Sequence, residues 1–378
     1  MVRNYITAFF LLIVSLAPLG CGQIDLGGGA TSLDGIYVDA RTALLQAAVS
    51  EDPITRANAM EAIGRTLGPS SGGILAQGLD DENVTVRFAA AMAIGDMGYP
   101  PAEKRLIQLI EDPKSDQRVV SAAIYALYWH NNEKYAGQLG TLLFSDFDLG
   151  RATAAMAMGK MDESSAVGPL RSLLDEEEVP GVRVSILEAL ARLGDKASMQ
   201  TLESYARGYF LDLRLAAIPA LARTKTPRAE MVLEELLGSR NPPRVRIAAA
   251  GGLGLLGAAS DSGYNLCCEA LRDPEGMLRR SYGNKQINPV EVSSLRQLAE
   301  ISLGQMKQEK AVYLLHPFLK DADGSVRVAA AMSILEILSS LGHTTDASVE
   351  RDSLPTAAPP GSLRKLQTSG GIDQFRSR

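Results

Sequence analysis

The chain has little of what most catalytic centres are built from. Across 378 residues it carries three cysteines, three histidines and one tryptophan. His130, His316 and His343 lie far apart and none is followed by Glu. Cys267 and Cys268 are adjacent within a helical pattern, without metal-site spacing or a partner cysteine further along. Neighbouring helical side chains diverge, so a disulfide between them would be strained. They read as small buried apolar residues, with a redox pair as the alternative. A metal centre or a cofactor is therefore not expected, nor is a catalytic site, which needs a nucleophile, a tuned acid and base, or a metal.

Blocks of like charge are missing too. Thirty-eight Lys and Arg stand against 44 Asp and Glu, for a net charge of −6 and a pI near 5.3, with the deficit spread along the chain. Phosphate binding wants a basic stripe, so nucleic acid is excluded as a partner. No apolar run reaches the roughly 20 residues that a membrane-spanning helix needs. The longest, Ile6 to Ala17, follows Arg3 and precedes "PLGC". It fits the apolar region of an export signal.

What the sequence does contain is repetition. "VRFAAAMAIGDMG", Val86 to Gly98, has counterparts beginning at Thr55, Gly150, Val182, Val245, Leu295 and Val326. With the Arg of each "VR" as marker, the series runs Arg56, Arg87, Val120, Arg151, Arg183, Arg214, Arg246, Arg296 and Arg327, in steps of 31, 33, 31, 32, 31, 32, 50 and 31. A fixed period near 30 marks a solenoid, because each unit buries its apolar face only against neighbours. Apolar and small residues three, six, seven and ten places after the marker form one helical face. A second helix precedes each marker helix across an Asp-, Gly- or Pro-rich turn such as "DPIT" or "NPPR". The reading is an all-α solenoid of about nine two-helix repeats over residues 39–343.

Two resemblances rest on these residues. The units resemble HEAT repeats, specifically the short HEAT-like repeats of the phycobilisome lyase type, in their turn followed by "VR-x-x-A-A-x-A-L-G". In that family the marker arginine ties the turn aspartates of adjacent units, which here offers Asp52, Asp112 and Asp321; the alternative is an anion ladder. Deoxyhypusine hydroxylase is built from similar repeats, but its iron needs paired His-Glu motifs that this chain lacks. The N-terminus resembles a bacterial lipoprotein signal over residues 1–20, with Gly20 before Cys21 and Pro18 where the family favours leucine. That resemblance implies lipidation of Cys21 and a membrane anchor through the N-terminal lipid. An uncleaved anchor or cleavage near Ala17 is the alternative, and Pro18 argues against the latter. Residues 21–38, with "GGGATS", read as a flexible tether, and residues 344–378 as a disordered tail.

Positions two, five and nine after the marker share the face opposite the packing residues, which HEAT arrays turn to their concave side. The third unit is unusual there, with Tyr125 and the single tryptophan, Trp129, flanked by Met92 and Met156 at equivalent places. Such a group has the composition of a protein-binding hot spot. Alternatively, the missing arginine at Val120 turns Trp129 into the core. The 50-residue step leaves 276–288 as a projecting basic loop with Arg279, Arg280, Tyr282 and Lys285, offering partner contacts or merely tolerated length. "NPVE" from Asn288 starts a longer helix. The function expected is a non-enzymatic scaffold or protein-binding module, its protein partner unnamed by the sequence, lipid-anchored at the bacterial cell envelope. In a Gram-negative host that means the outer membrane. The alternative is an envelope-attached enzyme subunit or lyase-like chaperone.

Overall fold

The marker helices begin where the sequence supplies a cap. The Asp52 carboxylate accepts backbone N–H bonds from Ile54 and Thr55, and Asn83, Asp116 and Asp323 cap their helices in the same way. Asn288 and Glu291 form a reciprocal capping box with Pro289 at the first helical position. The structure, a computed structural model, describes residues 32–283 and 286–343, and within them every regular element is a helix.

Nine inner helices carry the markers: α2 (Pro53–Thr66), α4 (Val84–Met97), α6 (Gln117–Trp129), α8 (Asp148–Met161), α10 (Pro180–Arg192), α12 (Leu211–Arg223), α14 (Pro243–Leu255), α17 (Pro289–Met306) and α19 (Gly324–Ser340). Outside them lie α1 (Leu33–Ala47), α3 (Gly72–Gly78), α5 (Glu103–Glu111), α7 (Gln138–Leu143), α9 (Val167–Glu176), α11 (Lys196–Arg207), α13 (Pro227–Leu236), α15 (Asp261–Arg272), α16 (Pro274–Tyr282) and α18 (Lys310–Leu315). Each inner helix packs on the next, and the small residues at their interface set how closely. A Cβ added at Gly64 would stand 2.6 Å from the Ala93 Cβ, and one at Gly159 would stand 2.6 Å from the Ala189 Cα. Glycine inside a helix costs about 1 kcal/mol relative to alanine, offset here by the close approach of the next helix.

The marker arginines are structural. Arg56 Nη1 donates to the Ser50 and Glu51 carbonyls at the end of its own turn, while Nε and Nη2 reach Asp81 of the next turn at 2.9 Å each. Arg151 repeats the arrangement with the Ser145 carbonyl and Glu177, and Arg296 lies 3.7 Å from Asp321. The Arg151 guanidinium holds the buried Glu177 carboxyl below the usual carboxylate range. Of the expected partners only Asp321 serves in this way. Asp52 is committed to capping α2 and Asp112 to the Lys114 amide, so Asp81 and Glu177 take the role. At Val120 the arginine is displaced to Arg118, which pairs with Asp116 and lies over the Phe147 ring of the next unit, 5.6 Å from its centroid.

The array closes on itself. Helix α1 lies along α19, and α19 packs on α2 as each inner helix packs on its successor. Asn58 donates to Ser325 at 3.1 Å, Arg65 meets Glu336 at 2.6 Å, and His316 and His343 face Asp39 and Asp34 of α1 at 2.8 and 3.7 Å. Asn58–Ser325 and Arg65–Glu336 join like levels of α2 and α19, so these inner helices run parallel with their N-termini on one rim of a ring, while His343 at the end of α19 meets the first turn of α1, which runs the opposite way. Two expectations change accordingly. Contacts are not purely between sequence neighbours, and residues 33–38, read as tether, are the first turns of α1, whose Ile36 is buried.

The 50-residue step is not a projecting loop either. Helix α16 occupies Pro274–Tyr282, burying Met277 and Leu278. Arg280 pairs with Glu269 and Asp273, and Arg279 with Glu275. Tyr282 packs against the core, and Lys285 lies outside the described residues. The apolar pair inside α16 explains the difference, since a segment that buries two side chains folds onto the array. Cys267 and Cys268 are buried in the core and form no disulfide with each other, in keeping with their reading as small apolar residues.

Glu300 is the discordant group in this core. It is 0% exposed and its carboxyl oxygens lack hydrogen-bond partners among the described residues. Burial, reinforced by Asp321, pushes its carboxyl well above the usual range. A raised native-state pKa means stability is full below the unfolded value of about 4.3 and is lost as pH rises toward the native one. Glu300→Gln is thus expected to melt above the parent at pH 8, with the gap closing toward pH 4. Closure has its own test. Oxidation of an Asn58→Cys, Ser325→Cys variant should give a circularised chain of altered mobility on a non-reducing gel, whereas an open array would leave both thiols free.

Candidate binding site in the ring lumen

The faces that the inner helices turn inward are those two, five and nine places after each marker. They line two adjoining cavities of about 330 and 470 Å³. Glu61, Arg65, Arg223, Leu255 and Gln305 border both. The larger is lined by Phe88, Met92 and Met156, and the smaller by Pro219, Ile301 and Met332. The level nearest the N-terminal rim is mostly small, as at Ala89, Ala216 and Ala248, while the ninth position gathers charge at the opposite rim.

These charges largely answer one another. Lys160 Nζ lies 2.6 and 2.8 Å from the Asp96 carboxylate oxygens, and Arg223 lies 2.9 Å from Glu188. Arg65 meets Glu336 at 2.6 Å and Glu61 at 3.5 Å. The Tyr125 hydroxyl donates to Asp96 at 2.5 Å beneath Lys160, whose ammonium sits 4.7 Å from the ring centroid. Burial and the Asp96 carboxylate both push that hydroxyl's pKa up. Arg192 projects into the larger cavity without an ion-pair partner among the described residues. No group of three or more His, Cys, Asp or Glu among those residues is arranged to hold a metal ion.

Part of the repeat array matches a known repeat profile. The profile described as HEAT repeats matches residues 41–128, 74–148 and 138–209. Residues 41–209 are built from HEAT repeats. The hairpins continue past the matched stretch through α19. No curated protein matches it significantly in sequence. Among solved structures, the chain is similar to the CpcE–CpcF complex of phycocyanin lyase from Nostoc sp. PCC7120, with 18% identity, 68% of this chain and 98% of that one covered, and a TM-score of 0.40. Human deoxyhypusine hydroxylase in complex with glycerol gives 19% identity, 73% and 99% coverage and a TM-score of 0.35. An engineered protein gives 14%, 82% and 97%, and 0.28. At these values no activity carries across.

Within the ring the four residues singled out at and beside the third unit separate. Met92 and Met156 line the larger cavity together. Trp129 is 49% exposed at the C-terminal end of α6, edge-on to Tyr128 with ring centroids 5.9 Å apart. Tyr125 is only 4% exposed, because Gly95 of α4 opens a slot that its ring fills, so it is core rather than surface. Ala122 is likewise fully buried. Cys21 lies outside the described residues. Closure of the lumen was not read from the sequence, although α19 carried a signal. Its "VRVAAAMSILEIL" is apolar nearly all round, whereas a terminal unit facing water needs a polar side.

The exposure of Trp129 is open to measurement. Its fluorescence should be readily quenched by acrylamide, and Trp129→Ala should change stability by no more than about 1 kcal/mol. A blue-shifted, protected emission would place it in the core.

Proposed function

We propose that the protein is a non-enzymatic scaffold of the cell envelope, tethered by a lipid on Cys21, that grips a protein partner at the α6 edge of the ring lumen. The observation that carries this is Trp129. A large aromatic left half exposed, one turn from a buried Tyr125 that is bonded into the Asp96–Lys160 bridge, is an anchor on a rigid support. Met92 and Met156 add adaptable apolar surface, since thioether side chains repack at little cost. Arg192 offers a charge for a partner's carboxylate. The ion pairs of the lumen support a holding role over a chemical one, because acids and bases that neutralise each other are poorly placed to transfer protons to a substrate.

Cross-linking of the full chain in its native envelope, followed by capture, tests the reading. Trp129→Ala should weaken recovery of the cross-linked partner at least about 30-fold with the melting transition little changed. Undiminished recovery would overturn it. Cys21→Ala should abolish lipid labelling and release the chain from the membrane fraction; unchanged labelling would sink the anchoring half of the proposal.

A further inference from the structure

The N-terminal rim of the ring divides into two kinds of helix start. Helices α2, α4, α6 and α19 begin at Asp52, Asn83, Asp116 and Asp323, whose side chains accept backbone N–H bonds of the first turn. The four consecutive helices α8, α10, α12 and α14 begin instead at Phe147, Val179, Phe210 and Pro242, none of which caps. An apolar residue in place of a capping side chain costs about 1 kcal/mol per helix. Burial does not offset that cost at Val179 or Phe210, whereas Phe147 and Pro242 are half-buried. Phe210 is 69% exposed and Tyr209 beside it 93%, and Phe144, Leu149 and Val179 are exposed on the two preceding turns. Stability alone would favour the capped version, so these turns serve something outside the fold.

The charges around them say what. Asp146 and Glu178 are exposed on the same turns and Asp175 and Glu176 at the adjoining end of α9, with Asp148 and Asp212 in the first turns of α8 and α12. The last two also offset the dipoles of their uncapped helices. None of the six forms an ion pair among the described residues. Arg151 is engaged by Glu177, and Arg207 by Glu203 and Glu235. The acidic run stops at the next turn, where Arg240 and Arg244 stand. An apolar strip edged by unanswered carboxylates repels anionic lipid and nucleic acid. It also disfavours a two-fold contact with a second copy, which would set the same acidic edge against itself.

We propose that this rim, from Phe144 to Phe210, is a docking surface for a cationic amphipathic helix of a partner protein. Inner helices pack about 8–10 Å apart, so the three turns span about 20 Å, the length of about 13 helical residues. One apolar face of such a helix covers Leu149, Val179 and Phe210, and its Lys and Arg side chains meet the carboxylates on either side. The surface lies on the rim opposite Trp129 and is independent of the lumen site.

A fluorescein-labelled 18-residue Leu/Lys amphipathic helix, with its Leu/Glu counterpart as control, tests this by anisotropy on the full chain. The Leu/Lys probe should bind and the Leu/Glu probe should not. A combined Tyr209→Ser, Phe210→Ser variant should weaken binding at least about 10-fold, with its melting transition unchanged as expected of exposed positions. Asp175→Lys with Glu178→Lys should abolish it, and Trp129→Ala should leave it intact. Binding that ignores the rim variants, or equal binding of both probes, would overturn the proposal. So would a dimer of the parent chain that the Ser variant dissociates, or binding of anionic phosphatidylglycerol vesicles that the same variant removes.

Discussion

The ring depends on the burial of the second face of α19 by α1. In an open HEAT array each inner helix is covered by the units before and after it, and the last one needs a polar side to end in water. Helix α19 has none: Val326, Ala330, Ile334 and Leu338 are buried along with Val328, Leu335 and Ile337, which leaves almost no azimuth free. The apolar stripe of α1, at Ile36, Ala40, Leu44 and Ala47, supplies the missing cover. Apolar burial provides most of the driving force, while the Asn58–Ser325 and Arg65–Glu336 contacts set the register in which the ends meet.

Closure turns a curved surface into an enclosed one. Because nine similar wedges complete a circle, residues on units far apart in sequence border one space, as Arg65 and Arg223 do. The cavity walls are then populated by whatever occupies the second, fifth and ninth places of each unit. Most of these positions are little constrained by packing, Tyr125 excepted, and they vary most from unit to unit, from Glu61 through Met92 and Met156 to Pro219. Packing between inner helices constrains the places between them instead, which is why glycine recurs eight residues after the marker at Gly64, Gly95, Gly159, Gly254 and Gly304.

The two rims differ for a physical reason. At the C-terminal rim the ninth positions project long side chains that find partners on other inner helices, as Arg223 of α12 finds Glu188 of α10 and Lys160 of α8 reaches past α6 to Asp96 of α4, so that rim is electrostatically settled apart from Arg192 among the described residues. At the N-terminal rim the turns carry short polar caps over part of the circle and apolar residues over the rest. A side chain that neither caps nor packs adds nothing to stability. Its presence on successive units therefore speaks of a surface rather than of a fold.

Much of this was legible in the sequence. The 31- to 33-residue period identified nine helical hairpins, the marker register named the lumen-facing positions, and "NPVE" located the start of α17, because each of these is a local property of a helix and its neighbours. Three things were decided only in three dimensions. Tyr125 is buried because Gly95, on another helix, leaves room for its ring, and residues 276–282 are helical because Met277 and Leu278 find a core to enter. The ring closes because small rotations between nine units sum to a full turn. A repeat pattern states how each unit meets the next, but the summed rotation belongs to no single unit, so only the assembled structure brings Asp39 to His316 and Asn58 to Ser325.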